Sequence, residues 1–350
     1  MKKWLFSLLF VVSLPLSAER IGEIKEAFKY PRLTVACDRF YILDAIPPFI
    51  HIYSLKNCKH IGQFGKKGKG PGEMENAPFI LDFRGNSLLV EDHGQKLLFF
   101  NRDGILNREM KIPRADSTGS SLPYSFSSSS YYKQLGSNFV CNVSNMQHKG
   151  KRMTIERTIT ILNPQLKAIK KIADTKKEMI IEQKGDFMPG HSADSNYFKD
   201  NFFWHVWQDK LFVGDTRTGF YLAVYDQQGK LLYEIEKPYE KLPVTSAIKK
   251  EVEDEYNKNA DKNSPPFDFT FPKVFPAYRN FLVADGRIYV FTYKRKGENM
   301  EVLSLDLKGN LLKSAFIPKS HYYVASQGEL YYLKENEVTE YWELHAEKMF

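Results

Sequence analysis

A catalytic or metal centre would have to be built from eight histidines, three cysteines and 42 acidic residues in a chain of 350. Their spacing carries little chemistry. Among His51, His60, His93, His148, His191, His205, His321 and His345 no two stand at H-x-x-x-H or H-x-H spacing, so no zinc motif is legible. Cys37, Cys58 and Cys141 include no C-x-x-C pair, and an odd number leaves at least one thiol unpaired in a monomer. Small buried residues are the favoured reading of all three, with a Cys37–Cys58 bridge as the alternative. The glycine-rich stretch Gly62–Glu73 is not a phosphate loop. Its Gly68-Lys69 runs into Gly70-Pro71 instead of Ser or Thr, and an apolar run follows where a helix would be needed. The serine-rich stretch Ser117–Ser130 reads as a loop and holds no nucleophile elbow.

What remains are residues that matter only if a fold gathers them. His205 lies in the aromatic run Phe202–Trp207, where strand alternation puts Phe203, His205 and Trp207 on one face. Arg279 precedes a similar run, and Tyr131 and Tyr322 open two others. Brought to one channel mouth, His205, Arg279, Tyr131, Tyr322 and Trp207 could hold an anionic or sugar-like ligand. Packing between sheets explains the same aromatics without a ligand. Asp38, Asp82, Asp285 and His205 are the residues that could converge on a metal, calcium being the cation considered. No cofactor is otherwise expected. Asp44, Asp92 and Asp215 recur at one place in a repeat, either as a ring of carboxylates or as caps on local turns; the turn reading is favoured.

The elements that would position these side chains are short strands. Six segments of β-branched, aromatic or Leu residues recur: Arg39–Asp44, Ser87–Asp92, Ser137–Asn142, Lys210–Asp215, Arg287–Thr292 and Glu329–Lys334. A first run precedes each: Leu33–Cys37, Phe79–Phe83, Tyr131–Leu135, Phe202–Trp207, Phe281–Asp285 and His321–Ser326. Third and fourth runs follow most of them across turns such as Asn101–Gly104, Asp226–Gly229 and Asp306–Gly309, in which Gly supplies positive φ. From Asp44 to Asp92, Asn142, Asp215, Thr292 and Lys334 the steps are 48, 50, 73, 77 and 42 residues, against about 40–50 for a propeller blade. The two long steps carry insertions, a polar aperiodic one at 175–200 and one at 243–275 that begins with a helical stretch, 244–258. The pattern predicts an all-β chain, a single six-bladed β-propeller of four-stranded antiparallel blades over residues 19–350. The last blade runs out of chain after its third strand, so the segment 19–28 is expected to supply its outer strand.

Residues 1–18 have the layout of a secretory signal peptide: Lys2 and Lys3, the apolar run Trp4–Leu16, then Ser17 and Ala18. An uncleaved anchor is the alternative, although 13 apolar residues fall short of the roughly 20 that span a bilayer. Export to the periplasm or outside the cell is the expectation, with no integral membrane segment. The formal charge of +8 is too diffuse to indicate nucleic-acid binding.

The stretch Gly62–Glu73 with Pro78 after it, the Asp-plus-glycine repeats, the run Asp285–Val290 and the helical insertion before Pro272 resemble the bacterial exported six-bladed β-propeller family, which is similar to the NHL-repeat propellers. The resemblance spans about residues 20–349. It departs where blade three has Asn163-Pro164 in place of a glycine turn, and where blades five and six lack the repeat Asp. The family implies a fold and almost no activity. Three functions stay open: a non-catalytic propeller, monomeric, binding a small molecule or an unidentified protein; a metal-assisted hydrolase or lyase at the channel; and a structural subunit of an envelope complex that uses the two insertions.

Overall fold

The computed structural model describes residues 19–26, 28, 31–47, 49–75, 78, 81–92, 95–112, 132–149, 152–180, 198–259, 269–320 and 323–349. The 1–18 segment and the expected channel residues Tyr131 and Tyr322 lie outside them.

The first strand is β1 (Glu19–Ile24). Blade one follows as β2 (Arg32–Ala36), β3 (Arg39–Leu43), β4 (Ile50–Ser54) and β5 (His60–Phe64). Blade two is β6 (Leu81–Arg84), β7 (Ser87–Asp92), β8 (Lys96–Asn101) and β9 (Leu106–Lys111). Blade three is β10 (Tyr132–Leu135), β11 (Asn138–Lys149), β12 (Arg152–Leu162) and β13 (Ala168–Ile180). Blade four is β14 (Phe202–Trp207), β15 (Lys210–Asp215), β16 (Phe220–Tyr225) and β17 (Leu231–Lys237). After the helix α1 (Ser246–Asn259), blade five is β18 (Asn280–Ala284), β19 (Arg287–Lys296), β20 (Asn299–Asp306) and β21 (Leu311–Pro318). Blade six takes β22 (Val324–Ser326), β23 (Glu329–Glu335) and β24 (Trp342–Lys348), and its fourth, outer strand is β1, which pairs antiparallel with β24 from Glu19↔Ala346 to Ile24↔Trp342.

The inner strands β2, β6, β10, β14, β18 and β22 lie each against the next around an axis, and β22 meets β2 to close the ring. Antiparallel pairing then fixes two faces. Inner strands begin and second strands end on the upper face; the tight turns between them lie on the lower face.

Each blade is too thin to bury its own apolar side chains, so burial happens between blades. Six hydrophobic clusters each fill one of the six interfaces. At the closing seam Ile24 and Phe28 pack with Tyr331 and Leu344 of blade six and Leu33 and Val35 of blade one. A seventh cluster belongs to the insertions: Phe198, Val244, Val252 and Phe275 are buried together, with Phe271 and Tyr293 against them.

The turn between the third and fourth strands has one chemistry in four blades. Asn101, Asn163, Asp226 and Asp306 each accept, through one side-chain oxygen, the amides two and four residues on. The residue between those amides turns left-handed: Gly104, Gly229 and Gly309 in three blades, and Leu166 at φ 59° in blade three. The apparent exception at Asn163-Pro164 is the same turn. Leu166 is buried in the interface with blade two, which offsets its backbone strain.

Three strands run well past the sequence expectation. The second strand of blade three was expected to end at Asn142, and the insertion to begin at 175. Instead β11 runs to Lys149 and β13 to Ile180. The alternating stretch Arg152–Leu162 gives both neighbours a partner well beyond the blade. Blade three therefore carries a three-stranded ribbon past Asn142 on the upper face, about 20 Å long at the usual rise per residue. Likewise β19 reaches Lys296 instead of stopping at Thr292.

Candidate functional site

The expected channel-mouth residues do not share one end of the channel. Arg279 stands just before β18 on the upper face, whereas Trp207 is the last residue of β14, on the lower face, where it covers Gly286. A six-residue inner strand runs about 20 Å, and that length separates them. Phe203 and Trp207 pack into the interface with blade five, and Phe202, Trp204 and Val206 into that with blade three. These aromatics join blades.

His205 sits between those packed positions, partly exposed, with its Nδ1 buried and accepting or donating no hydrogen bond among the described residues. Burial, and then the positive charge of Lys133, hold its pKa well below the usual histidine value, so the ring is neutral at physiological pH. Lys133 on β10 and Asp82 on β6 complete this level of the channel. Burial lowers the lysine pKa and raises that of the aspartate, and their mutual attraction opposes both shifts. Asp82 accepts the Gln134 amide at 3.4 Å. Below them Arg84 reaches over blade three to Asp209 of blade four at 2.6 Å, and Asp209 also accepts the Gly136 amide at 3.0 Å. Polar groups of three blades thus line the channel and cross-link its lower end. Sequence reasoning named Asp82 and His205 but missed Lys133, whose signal was a cation in the middle of the inner-strand run Tyr132–Leu135.

The other two acids considered for a metal are engaged elsewhere. Asp38 is an exposed turn residue paired with Arg102, and its backbone hydrogen bond and that arginine lower its pKa. Asp285 accepts the Gly328 amide at 3.0 Å, joining blades five and six. Among the described residues neither joins a group of three possible ligands. Asp44 and Asp215 act as local acceptors, to Ala45 N and Arg217 N, whereas Asp92 accepts the Glu75 amide 17 residues away and ties the connection from blade one to β7. Cys58 and Cys141 are buried and Cys37 is exposed, all as free thiols. The expectation that all three are buried fails at Cys37, because it occupies the lower turn of blade one at φ 57°.

The upper mouth has a different character. Arg279 is half-buried; its amide donates to the Phe291 carbonyl at 2.8 Å, its guanidinium reaches the Met300 sulfur at 3.4 Å and lies 5.8 Å from the centre of the Tyr293 ring. Among the described residues no carboxylate comes within ion-pairing distance of it. Tyr293 stacks on Phe275 at 4.4 Å, and Tyr323 on Phe291 at 5.0 Å. Burial pushes the Tyr293 hydroxyl up to about 12, with Arg279 pulling the other way. The helix α1 is held beside this mouth by Arg295–Glu251 contacts of 2.8 Å to both carboxylate oxygens. An arginine with no carboxylate at ion-pairing distance among the described residues, set among aromatic rings, is suited to receiving an anion.

The geometry defines a six-bladed β-propeller with one strand of the last blade supplied by the N-terminal segment. A family model described as a 6-bladed beta-propeller, DUF5128, matches residues 26–183. No curated protein matches the sequence. Among solved structures, a protein from Bacteroides fragilis described as exported superposes with a TM-score of 0.53 at 12% identity, over 95% of this chain and 94% of its own. A member of the DUF4221 family from Bacteroides vulgatus gives 0.45 at 12% identity, over 95% of each chain. At such identity the likeness concerns the fold. No described helix is long and apolar enough to cross a membrane.

Proposed function

We propose that the protein is an exported, non-catalytic binding propeller that receives an anionic group at the upper mouth of its channel, with Arg279 as the receiving charge. The observation that carries this reading is the half-buried guanidinium of Arg279, which faces Tyr293 and Met300 and has no carboxylate partner among the described residues. A cation partly withdrawn from water is stabilised by an anionic partner. The signal-like segment 1–18 and the exported description of the Bacteroides fragilis neighbour support export. A small molecule carrying a carboxylate or phosphate supplies the anion that this guanidinium can receive.

The test is calorimetric titration of the full chain with glucuronate, glucose and phosphate. Glucuronate or phosphate should bind while glucose does not. Arg279→Gln should weaken binding roughly tenfold to a hundredfold, the size of a charged hydrogen-bond pair. Equal affinity in the variant, or no anion binding at all, refutes the reading.

A further inference from the structure

We infer that Glu26, His51 and His60 form a binding site for a divalent transition-metal ion of the zinc class, which clamps the closing strand of the ring to blade one. The three residues come from separate parts of the chain. Glu26 lies two residues beyond the end of β1, the outer strand of blade six, whereas His51 is on β4 and His60 opens β5, both of blade one.

Strand register brings the two histidines together. His60 pairs directly with Tyr53, and His51 is two residues from Tyr53 on the same strand, so both imidazoles share a face of the sheet as diagonal neighbours. Their ring centres are 6.2 Å apart. One donor atom from each of Glu26, His51 and His60 lies within 4.8 Å of the other two. Zinc bonds of about 2.0–2.1 Å in a tetrahedron put donor atoms about 3.4 Å apart. The remaining 1.4 Å or so is within reach of side-chain rotation at His60, which is exposed.

A second observation points to a cation. The Glu26 Oε2 atom is buried and accepts no hydrogen bond among the described residues. A buried carboxylate oxygen without a donor is a cost that a bound cation removes. Aromatic rings wall the site, Phe28 at 5.0 Å from the His51 ring and Tyr53 at 5.2 Å from the His60 ring. Two imidazoles and one carboxylate suit zinc, cobalt or nickel, whereas calcium and magnesium prefer oxygen ligands throughout. The exposed side of His60 leaves a coordination position for water. Such an ion would join the two sides of the seam at which the ring closes, and would stabilise the folded state in proportion to its occupancy.

The experiment uses the full chain stripped with chelator, then given Zn²⁺ or Co²⁺. One ion should bind per chain, Zn²⁺ should raise the melting temperature, and Co²⁺ should develop the visible bands of a low-coordinate imidazole complex. His60→Ala, a change at an exposed position that leaves the fold intact, should abolish both effects; Glu26→Gln should weaken the metal at least tenfold. The inference is overturned if Zn²⁺ raises the melting temperature of His60→Ala as much as that of the unaltered protein, or if the Co²⁺ bands fail to form. Neither outcome depends on the anion site at Arg279.

Discussion

Replacing Ile24 by Ala tests whether β1 holds the ring closed. Ile24 is 1% exposed and packs in the cluster shared by blades six and one. The substitution removes three carbons from a wall whose opposite sides belong to two separate sheets, Tyr331 and Leu344 on one and Leu33 and Val35 on the other. Two rigid sheets collapse poorly onto a void, so the loss should fall at about 3 kcal/mol within the usual range for such truncations. For a chain of this length that corresponds to a fall of about 4 °C in melting temperature. Arg20→Ala on the same strand is the control. Its contacts to Glu343 at 2.8 Å and Glu23 at 3.1 Å are made by a side chain that is 49% exposed, and exposed pairs contribute less than about 1 kcal/mol. Urea unfolding measures both, and amide exchange along β24 locates the loss. If Ile24→Ala costs no more than Arg20→Ala, β1 does not close the ring.

Glu347 is 2% exposed, and burial pushes its carboxyl up to about 7 from an ordinary 4.5, with Lys313 opposing. The unfolded chain gives up this proton first, so stability falls as pH rises from 4.5 to about 7 and stays low above that. Glu347→Gln should therefore exceed the unaltered protein by up to about 3 kcal/mol at pH 8, with the gap vanishing near pH 4; denaturant midpoints across that range decide it. A methyl group at Gly214 would stand 2.3 Å from the Tyr278 hydroxyl and 2.9 Å from Phe281. Gly214→Ala should cost about 1–3 kcal/mol by overpacking, disturbing the 2.9 Å bond from Tyr278 to the Tyr221 carbonyl; unaltered stability would show that the blades four and five do not meet there. Val252 is buried in the insertion cluster and in none of the blade interfaces. Val252→Asp should accelerate amide exchange across α1 while exchange in blade five stays slow, and loss of protection in both would make the helix part of the propeller core.

The repeating strand quartets were legible because each obeys local rules. Alternation marks Phe202–Trp207, and an Asx residue with a left-handed position three residues later marks the turns at Asn101, Asp226 and Asp306. Those rules act over a few residues, so blade number and order followed from them. The ends expected at Asn142 and before 175 fall short of β11 and β13, because pairing with Arg152–Leu162 and not propensity decides where those strands stop.

The sites were less legible, for a geometric reason. Arg279 could be placed next to an inner strand, but its surroundings depend on what Tyr293, Met300 and α1 bring from elsewhere in the chain. Glu26, His51 and His60 lack motif spacing, since a diagonal across two antiparallel strands and a segment at the ring's seam have no fixed distance in sequence. The electrostatic influence of Lys133 on Asp82 and His205 likewise requires three blades around one axis. By itself the sequence determined the repeat and its turns, which depend on near neighbours in the chain. Closure of the ring, and with it every constellation of charge and metal ligands, was decided only when distant blades met, because an electrostatic or coordination site depends on distance in space and has no period in sequence.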